Sequence, residues 1–359
     1  MSRSRRAFRI AVSAGLVAVG GMAIPAGAGA QEPPWEVVAS GLDSPRHLAF
    51  APGGALYVAE SGRGGSGPCV VHPDLGEFCF GRSGAVTRVR DDGPETRVVT
   101  GLPSIFNETA GEALGPSDLV IKGRHRFVLS IGLGGSDQFR AGFGDDGELL
   151  ATLVAGRLNR NRVSVIADVM ANELATNPDG TDIDSNPVGI LKKGNGYVIA
   201  DAGGNAVVRV SGKGAFTTVA AFAPTPIGAD AVPTSVVRGR DGAFYVSQLT
   251  GFPFQEGAAN IWRVVPGQAP TVFASGLTNV TDLAFARDGS LYAVEIASNG
   301  LLQGPIGSLV KVTPGGSQHE TIAGDLFAPY GVALTKRSAY VTTCAVCVGG
   351  GEVIRIPLD

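Results

Sequence analysis

The stretch YVIADAGGNAVVRV, Tyr197 to Val210, decides the architecture. An apolar run ends on an acid, two glycines and an asparagine make a turn, and a second apolar run follows. Glycine and asparagine tolerate the backbone angles of tight turns, so the segment reads as two strands of a hairpin. The same form returns in ALYVAES (Ala55 to Ser61), AFYVSQL (Ala243 to Leu249), SLYAVEI (Ser290 to Ile296) and SAYVTTC (Ser338 to Cys344), with a divergent copy in RFVLSIG (Arg126 to Gly132).

Each copy is preceded by a partner run: PRHLAF from Pro45, PSDLVI from Pro116, PVGILK from Pro187, PTSVVR from Pro233, VTDLAF from Val280 and PYGVAL from Pro329. Short turns such as Asp241-Gly242 and Asp288-Gly289 join most pairs, as in tight hairpins. A third run follows each pair, from Gly84, Gly156, Ala206, Asn260, Ser308 and Glu352. A fourth follows from Thr96, Val163, Phe216, Thr271 and His319. A four-stranded unit repeated in this way predicts an all-β propeller of six antiparallel blades. Both faces of each sheet are buried, which explains the nearly continuous apolar runs.

The sixth unit ends at its third strand, EVIRIPLD, at the C-terminus. Its missing fourth strand matches EVVASGL, Glu36 to Leu42, which is close to TVFASGL and TRVVTGL. The N-terminal strand is therefore expected to complete the last blade and close the ring, removing an exposed edge. Residues 31–359 then form one propeller, with blades near 43–103, 115–170, 186–223, 232–277, 279–325 and 328–359 plus 35–42.

Strands alternate in direction, so the loops after each second strand share a face with the connections between blades. The long insertions, Ser61 to Ser83 and Gly132 to Leu153, fall there, with MANELAT beside them as a helical turn. Long loops gathered on a rigid scaffold mark a binding side. Second strands reach that face at Glu60, Asp201, Gln248 and Glu295, and first strands leave it at His47, Asp118, Ser235 and Asp282. These eight residues are expected to form a polar, net-acidic collar at the channel mouth. Ile131, Gly189 and Gly331 interrupt it. Glu60, Asp118, Asp282 and Glu295 offer oxygen ligands for calcium, and His47 is a candidate base. Asp201, Asp118 and Asp282 also have a structural reading, as acceptors for turn and neighbouring-blade amides.

Other signals narrow the class. The 359 residues are 44 % hydrophobic with a net charge of -3 and no basic stripe, which excludes nucleic acid as a partner. Arg3, Arg5 and Arg6, an apolar core from Ala11 to Ile24 and Ala28-Gly29-Ala30 read as an export signal spanning 1–30, cleaved after Ala30. SRRAF fits twin-arginine export, and the general secretory route fits equally. The mature chain is expected in the periplasm or outside the cell, without a membrane span and as a monomer.

Four cysteines allow three pairings, and Cys69–Cys79 with Cys344–Cys347 pins each to its own loop. Such closures stabilise by roughly 3 and 2 kcal/mol. The alternative is zinc held by these thiolates with His72. GRGGSG, Gly62 to Gly67, lacks the helix that a dinucleotide site needs. NPDGTDIDSNP, Asn177 to Pro187, carries Asp179, Asp182 and Asp184 without EF-hand spacing, and reads as a turn-rich surface loop.

The segments SPRHLAFAPGGALYVAESGRGG, NPDGTDIDSNPVGIL, ADAGGN, VPTSV, LTGFPF and EIASNGLL resemble the ScyD/ScyE family of exported bacterial six-bladed propellers over nearly the whole mature chain. YVIADAGGNAVVRV also resembles an NHL-type repeat. The resemblance implies fold and export and supplies no catalytic residues. A binding or accessory propeller is the first functional expectation, with a small molecule, glycan or protein on the loop-bearing face. The second is a calcium-dependent enzyme of the gluconolactonase or quinoprotein sugar dehydrogenase type, with His47 as base.

Overall fold

Asp241 and Asp288 each turn back on the chain: their carboxylates accept from the N–H of Ala243 (3.2 Å) and Ser290 (2.8 Å). Gly242 and Gly289 beside them take φ of +84° and +102°, which a side chain would strain. In the computed structural model, which describes residues 34–90 and 94–358, such turns fold the chain into six antiparallel sheets. The segment read as an export signal lies outside the described residues.

Blade 1 holds Pro45–Phe50, Leu56–Glu60, Gly76–Val89 and Thr96–Asn107, extended by Cys69–His72 and Glu112–Leu114. Blade 2 holds Pro116–Lys122, Arg126–Ile131, Thr152–Arg157 and Val163–Asp168. Blade 3 comprises Pro187–Lys193, Gly196–Asp201, Ala206–Val210 and Phe216–Ala221, with the opening stretch as its second and third strands. Blades 4 and 5 repeat the pattern over Pro233–Leu277 and Val280–Phe327. Blade 6 takes Val332–Leu334, Ser338–Thr343 and Gly351–Pro357, and its outer strand is Glu36–Leu42. There Val37 faces Ile354 and Leu42 faces Gly351, so head and tail share one sheet.

Apolar residues of adjacent blades interdigitate. Val198 and Val207 of blade 3 pack with Val236, Phe244 and Val246 of blade 4. Across the closure, Ala39, Leu42 and Val353 pack with Leu48, Leu56 and Val58. Each fully buried side chain of this size contributes about 1.5–3 kcal/mol, so closure buries a face of blade 1 as well as an edge. No helix among the described residues is long and apolar enough to cross a membrane.

Three local expectations are corrected. Ser61 to Ser83 is not simply a loop, because the third strand of blade 1 starts at Gly76 and pairs with Cys69–His72. Together with the far half of Thr96–Asn107 it forms a raised lobe over the loop-bearing face. Phe78, Phe80, Phe139 and Phe143 fill the lobe, the last two brought in by the 133–150 insertion. The third strand of blade 2 starts at Thr152, and Gly156 lies near its end. A Cβ at Gly156 would stand 2.5 Å from the Phe127 ring, so glycine there lets the ring in. The first strand of blade 6 is only Val332–Leu334, because Gly331 presses on blade 1: a Cβ there would lie 2.7 Å from the His47 Cα.

Candidate functional site: a funnel above a plugged channel

The acids that end the second strands do not face one another. Glu60 is fully buried and accepts from the Asp43 N–H at 2.7 Å, from the Thr87 hydroxyl and from the Arg97 guanidinium at 2.7 Å. Glu295 repeats the arrangement, accepting from the Thr278 N–H at 2.7 Å and from the hydroxyls of Ser298 and Ser308. Asp201 accepts from the Asn186 N–H at 2.6 Å and the Ser185 hydroxyl at 2.9 Å. In each case the carboxylate ties the end of its strand to the link that enters its own blade. Gln248 accepts from Asn260 and from the Trp262 indole. These four expected collar residues are latches inside separate blades.

The first-strand residues do meet. His47 spans the channel, with Nδ1 3.9 Å from Asp118 and Nε2 3.8 Å from Asp282. Nε2 also lies 3.2 Å from the Thr281 carbonyl. Asp118 accepts from Leu119 N–H at 2.6 Å and, in the next blade, Ile190 N–H at 2.7 Å. Asp282 accepts from the Ser235 hydroxyl at 2.7 Å and Val332 N–H at 2.8 Å, which joins three blades. Burial pushes the Asp118 carboxyl up to about 6, with His47 pulling it down and Asp282 raising it. His47 is 1 % exposed, under the Tyr330 ring, and plugs the channel. As the four proposed calcium ligands stand, only Asp118 and Asp282 reach this centre. Glu60 and Glu295 are held by donors of their own blades, so the four do not converge on one ion.

Above the plug lies a funnel of about 380 Å³ to which all six blades contribute. Arg46, Ser117, Val188, Thr234 and Tyr330 line it. Each stands one residue before the channel position of its blade. Five of the six first strands carry a register shift at this point, between Pro45 and Leu48 in blade 1 and between Pro116 and Leu119 in blade 2, for example. A bulge re-aims neighbouring side chains, so consecutive residues serve funnel and plug. The walls are otherwise largely apolar, with Leu75, Leu114, Leu249, Phe254, Leu301 and Val346.

One side is polar. The Arg46 guanidinium lies 4.5 Å over the Tyr330 ring and donates to the Ala113 carbonyl at 2.6 Å and the Ser61 hydroxyl at 3.2 Å. Glu112 faces it from the lobe, its carboxyl raised by burial and pulled back by Arg46. Burial also raises the Tyr330 phenol. Sequence reading misses Arg46, Glu112 and Tyr330. The first and last are visible as the second residue of the PRHL and PYGV runs, and Glu112 has no signal because the lobe reads as loop.

Larger hollows exist at the 155–164 hairpin (about 880 Å³) and on the opposite face beside Arg88, Arg287 and Lys336 (about 830 Å³). The first is lined by a single hairpin, and neither receives the converging strands. Cys69–Cys79 and Cys344–Cys347 are disulfides. The first staples directly paired strands of the lobe. The zinc alternative is overturned, since the sulfurs are bonded to each other and His72 Nδ1 accepts from the N–H groups of Asp74 and Leu75.

No protein-family model and no curated protein sequence matches the chain. Solved structures do. A glucose dehydrogenase aligns over 90 % of this chain and 99 % of its own, with TM-score 0.54 and 13 % identity. A putative oxidoreductase (glucose dehydrogenase) from Thermus thermophilus covers the same shares, with TM-score 0.50 and 17 % identity. A putative gluconolactonase aligns over 90 % and 93 %, with TM-score 0.50 and 10 % identity. The likeness is one of fold. The chain is a six-bladed propeller, as its own sheets show, and identities this low carry no activity across.

Proposed function

We propose that the protein is an exported binding propeller of the ScyD/ScyE type. Its ligand is a small organic molecule with an apolar body and one polar group, seated in the funnel. The observation that supports this reading is the funnel itself: one concavity reached by all six blades, mostly apolar, with Arg46, Glu112 and Tyr330 grouped on one side. Few polar groups in an apolar cavity is the usual make-up of a small-molecule site. Export is supported by the two disulfides, which persist in oxidising compartments, and by the arginine-led N-terminus.

The neighbouring folds include sugar dehydrogenases and a putative gluconolactonase. A calcium-dependent enzyme of that kind is the second reading. Its proposed ligands are divided, since Glu60 and Glu295 are bound inside their own blades, and its base, His47, sits under Tyr330 and outside the funnel wall.

The test uses an apolar fluorescent anion, 1-anilinonaphthalene-8-sulfonate, as probe. One molecule is expected to bind per folded chain, without added calcium. Ala110→Trp, placed at the funnel rim, should weaken binding at least tenfold. Lys336→Ala, at the opposite-face hollow, should leave it unchanged. The reverse pattern would remove the funnel from consideration.

A further inference from the structure

The loop Asn177 to Pro187 reads from sequence as a solvated turn. Its turns are exposed over 180–183, as that reading has it, and its inner end folds back against a buried carboxylate. Helix Val169–Thr176 is capped by Asp168, whose side chain accepts from the Ala171 N–H at 3.0 Å. This sets Glu173 on the inner side of the helix, where it is 1 % exposed. One of its oxygens, Oε1, is buried without a hydrogen-bond partner. Burial of an ionised carboxylate with no partner costs several kcal/mol, about the effective penalty for a single desolvated ion. Such a group calls for a proton or a cation.

Glu173 is not alone. Asp184 Oδ1 is likewise buried and without a partner. Both converge on the Gly203-Gly204 turn that joins the two strands of the opening stretch. A Cβ at Gly203 would lie 2.5 Å from Asp184 Oδ1, and one at Gly204 would lie 2.7 Å from Glu173 Oε2 and 3.4 Å from Asp201 Oδ2. Glycine at both positions leaves this space to carboxylate oxygens. Asp179 borders it through the Asn205 amide, which donates to Asp179 at 2.9 Å. None of these acids forms an ion pair with a lysine or arginine among the described residues. Burial and then the nearby charge of Asp201 push the Glu173 carboxyl up to about 8 and the Asp184 carboxyl up to about 7.

We infer that Glu173 and Asp184, beside Asp201, form a site for one divalent cation of the calcium type, held between the 169–176 helix, the 177–187 loop and the Gly203-Gly204 turn. The donors are all oxygen, which suits a hard cation, and a calcium sphere is completed by backbone carbonyls and water. Without the ion the carboxylates stand apart, since no three of them bring oxygens within 4.8 Å of one another. The cation would draw them in and fix the 177–187 loop. Asn186, at the end of that loop, lines the funnel, so the ion would also hold part of its wall. The site is separate from His47 and stands whether or not the funnel binds a ligand.

Calorimetric titration of the full mature chain with calcium chloride at pH 7.5, after removal of metals, tests the inference. One calcium ion is expected per chain, with a rise in melting temperature that chelator reverses. Glu173→Gln and Asp184→Asn should each weaken calcium binding at least tenfold. Both should be folded in chelator and no less stable there than the parent, because each removes a carboxyl that folding must either protonate or bury charged. Asp118→Asn and Asp282→Asn should bind calcium as the parent does. No calcium heat in the parent, or undiminished binding in both Glu173→Gln and Asp184→Asn, overturns the inference. Loss of binding in Asp282→Asn alone would move the ion to the channel and overturn it equally.

Discussion

At the residue scale, the same position in successive blades does one structural task with different chemistry. Glu60, Asp201 and Glu295 each accept an amide from the link entering their blade. Of the three, only Glu60 forms an ion pair among the described residues. Arg97 is 41 % exposed while Glu60 is fully enclosed, so the two partners are not equivalent. Arg97→Ala is expected to cost about 2 kcal/mol, less than for a fully buried pair, because Arg97 is partly exposed and Glu60 keeps its Asp43 and Thr87 donors. Glu60→Gln should cost less, since Arg97 can turn to water. Urea denaturation of both variants measures the difference, and equal losses would contradict the latch as described. The acid at the end of each second strand is plain in the sequence, but its direction is not. Register gives the face of a strand, and whether a side chain turns to the channel or to its own link depends on the partner one blade-edge away.

At the element scale, the strand Glu36–Leu42 carries the closure. Its exposed pair with the C-terminal strand, Arg355 to Glu36, contributes less than about 1 kcal/mol. The larger part comes from Ala39 and Leu42, buried against Val353 and blade 1. A chain beginning at residue 43 should therefore lose most of its stability and self-associate through the bared Gly351–Pro357 edge. Size-exclusion chromatography and thermal melting of the two chains test this. A truncated chain as stable and monomeric as the parent would contradict the closure. This strand is legible from EVVASGL alone, because the repeat leaves one strand missing and supplies one spare. The raised lobe is not legible in the same way. FCFGRSGAVTRV runs through its strand without a break, and glycines at 81 and 84, which read as loop, are there for close packing: a Cβ at Gly81 would overlap the Gly64 backbone, and one at Gly84 the Pro116 ring.

At the scale of the whole molecule, buried acids outnumber their cations. Asp118 and Asp201 are pushed up to about 6, Asp184 to about 7 and Glu173 to about 8, burial being the first cause in each. A raised folded-state carboxyl means that the folded chain holds protons the unfolded chain has released. Stability should therefore fall as pH rises from about 4 to about 8 in chelator, the reverse of the usual acid denaturation of paired carboxylates. Denaturation midpoints across that range check the sign, and a midpoint that rises steadily would contradict it. The six blades bring these charges together, but they also produce a cavity that no single blade contains. That cavity, with its polar side at Arg46, Glu112 and Tyr330, is what the functional reading rests on. Soaking crystals of the mature protein with a library of small organic fragments tests it most directly. The account predicts fragments in the funnel, with polar groups against Arg46, Glu112 or Tyr330. Fragments gathered at the 155–164 hairpin or beside Lys336, with the funnel left to solvent, would contradict it.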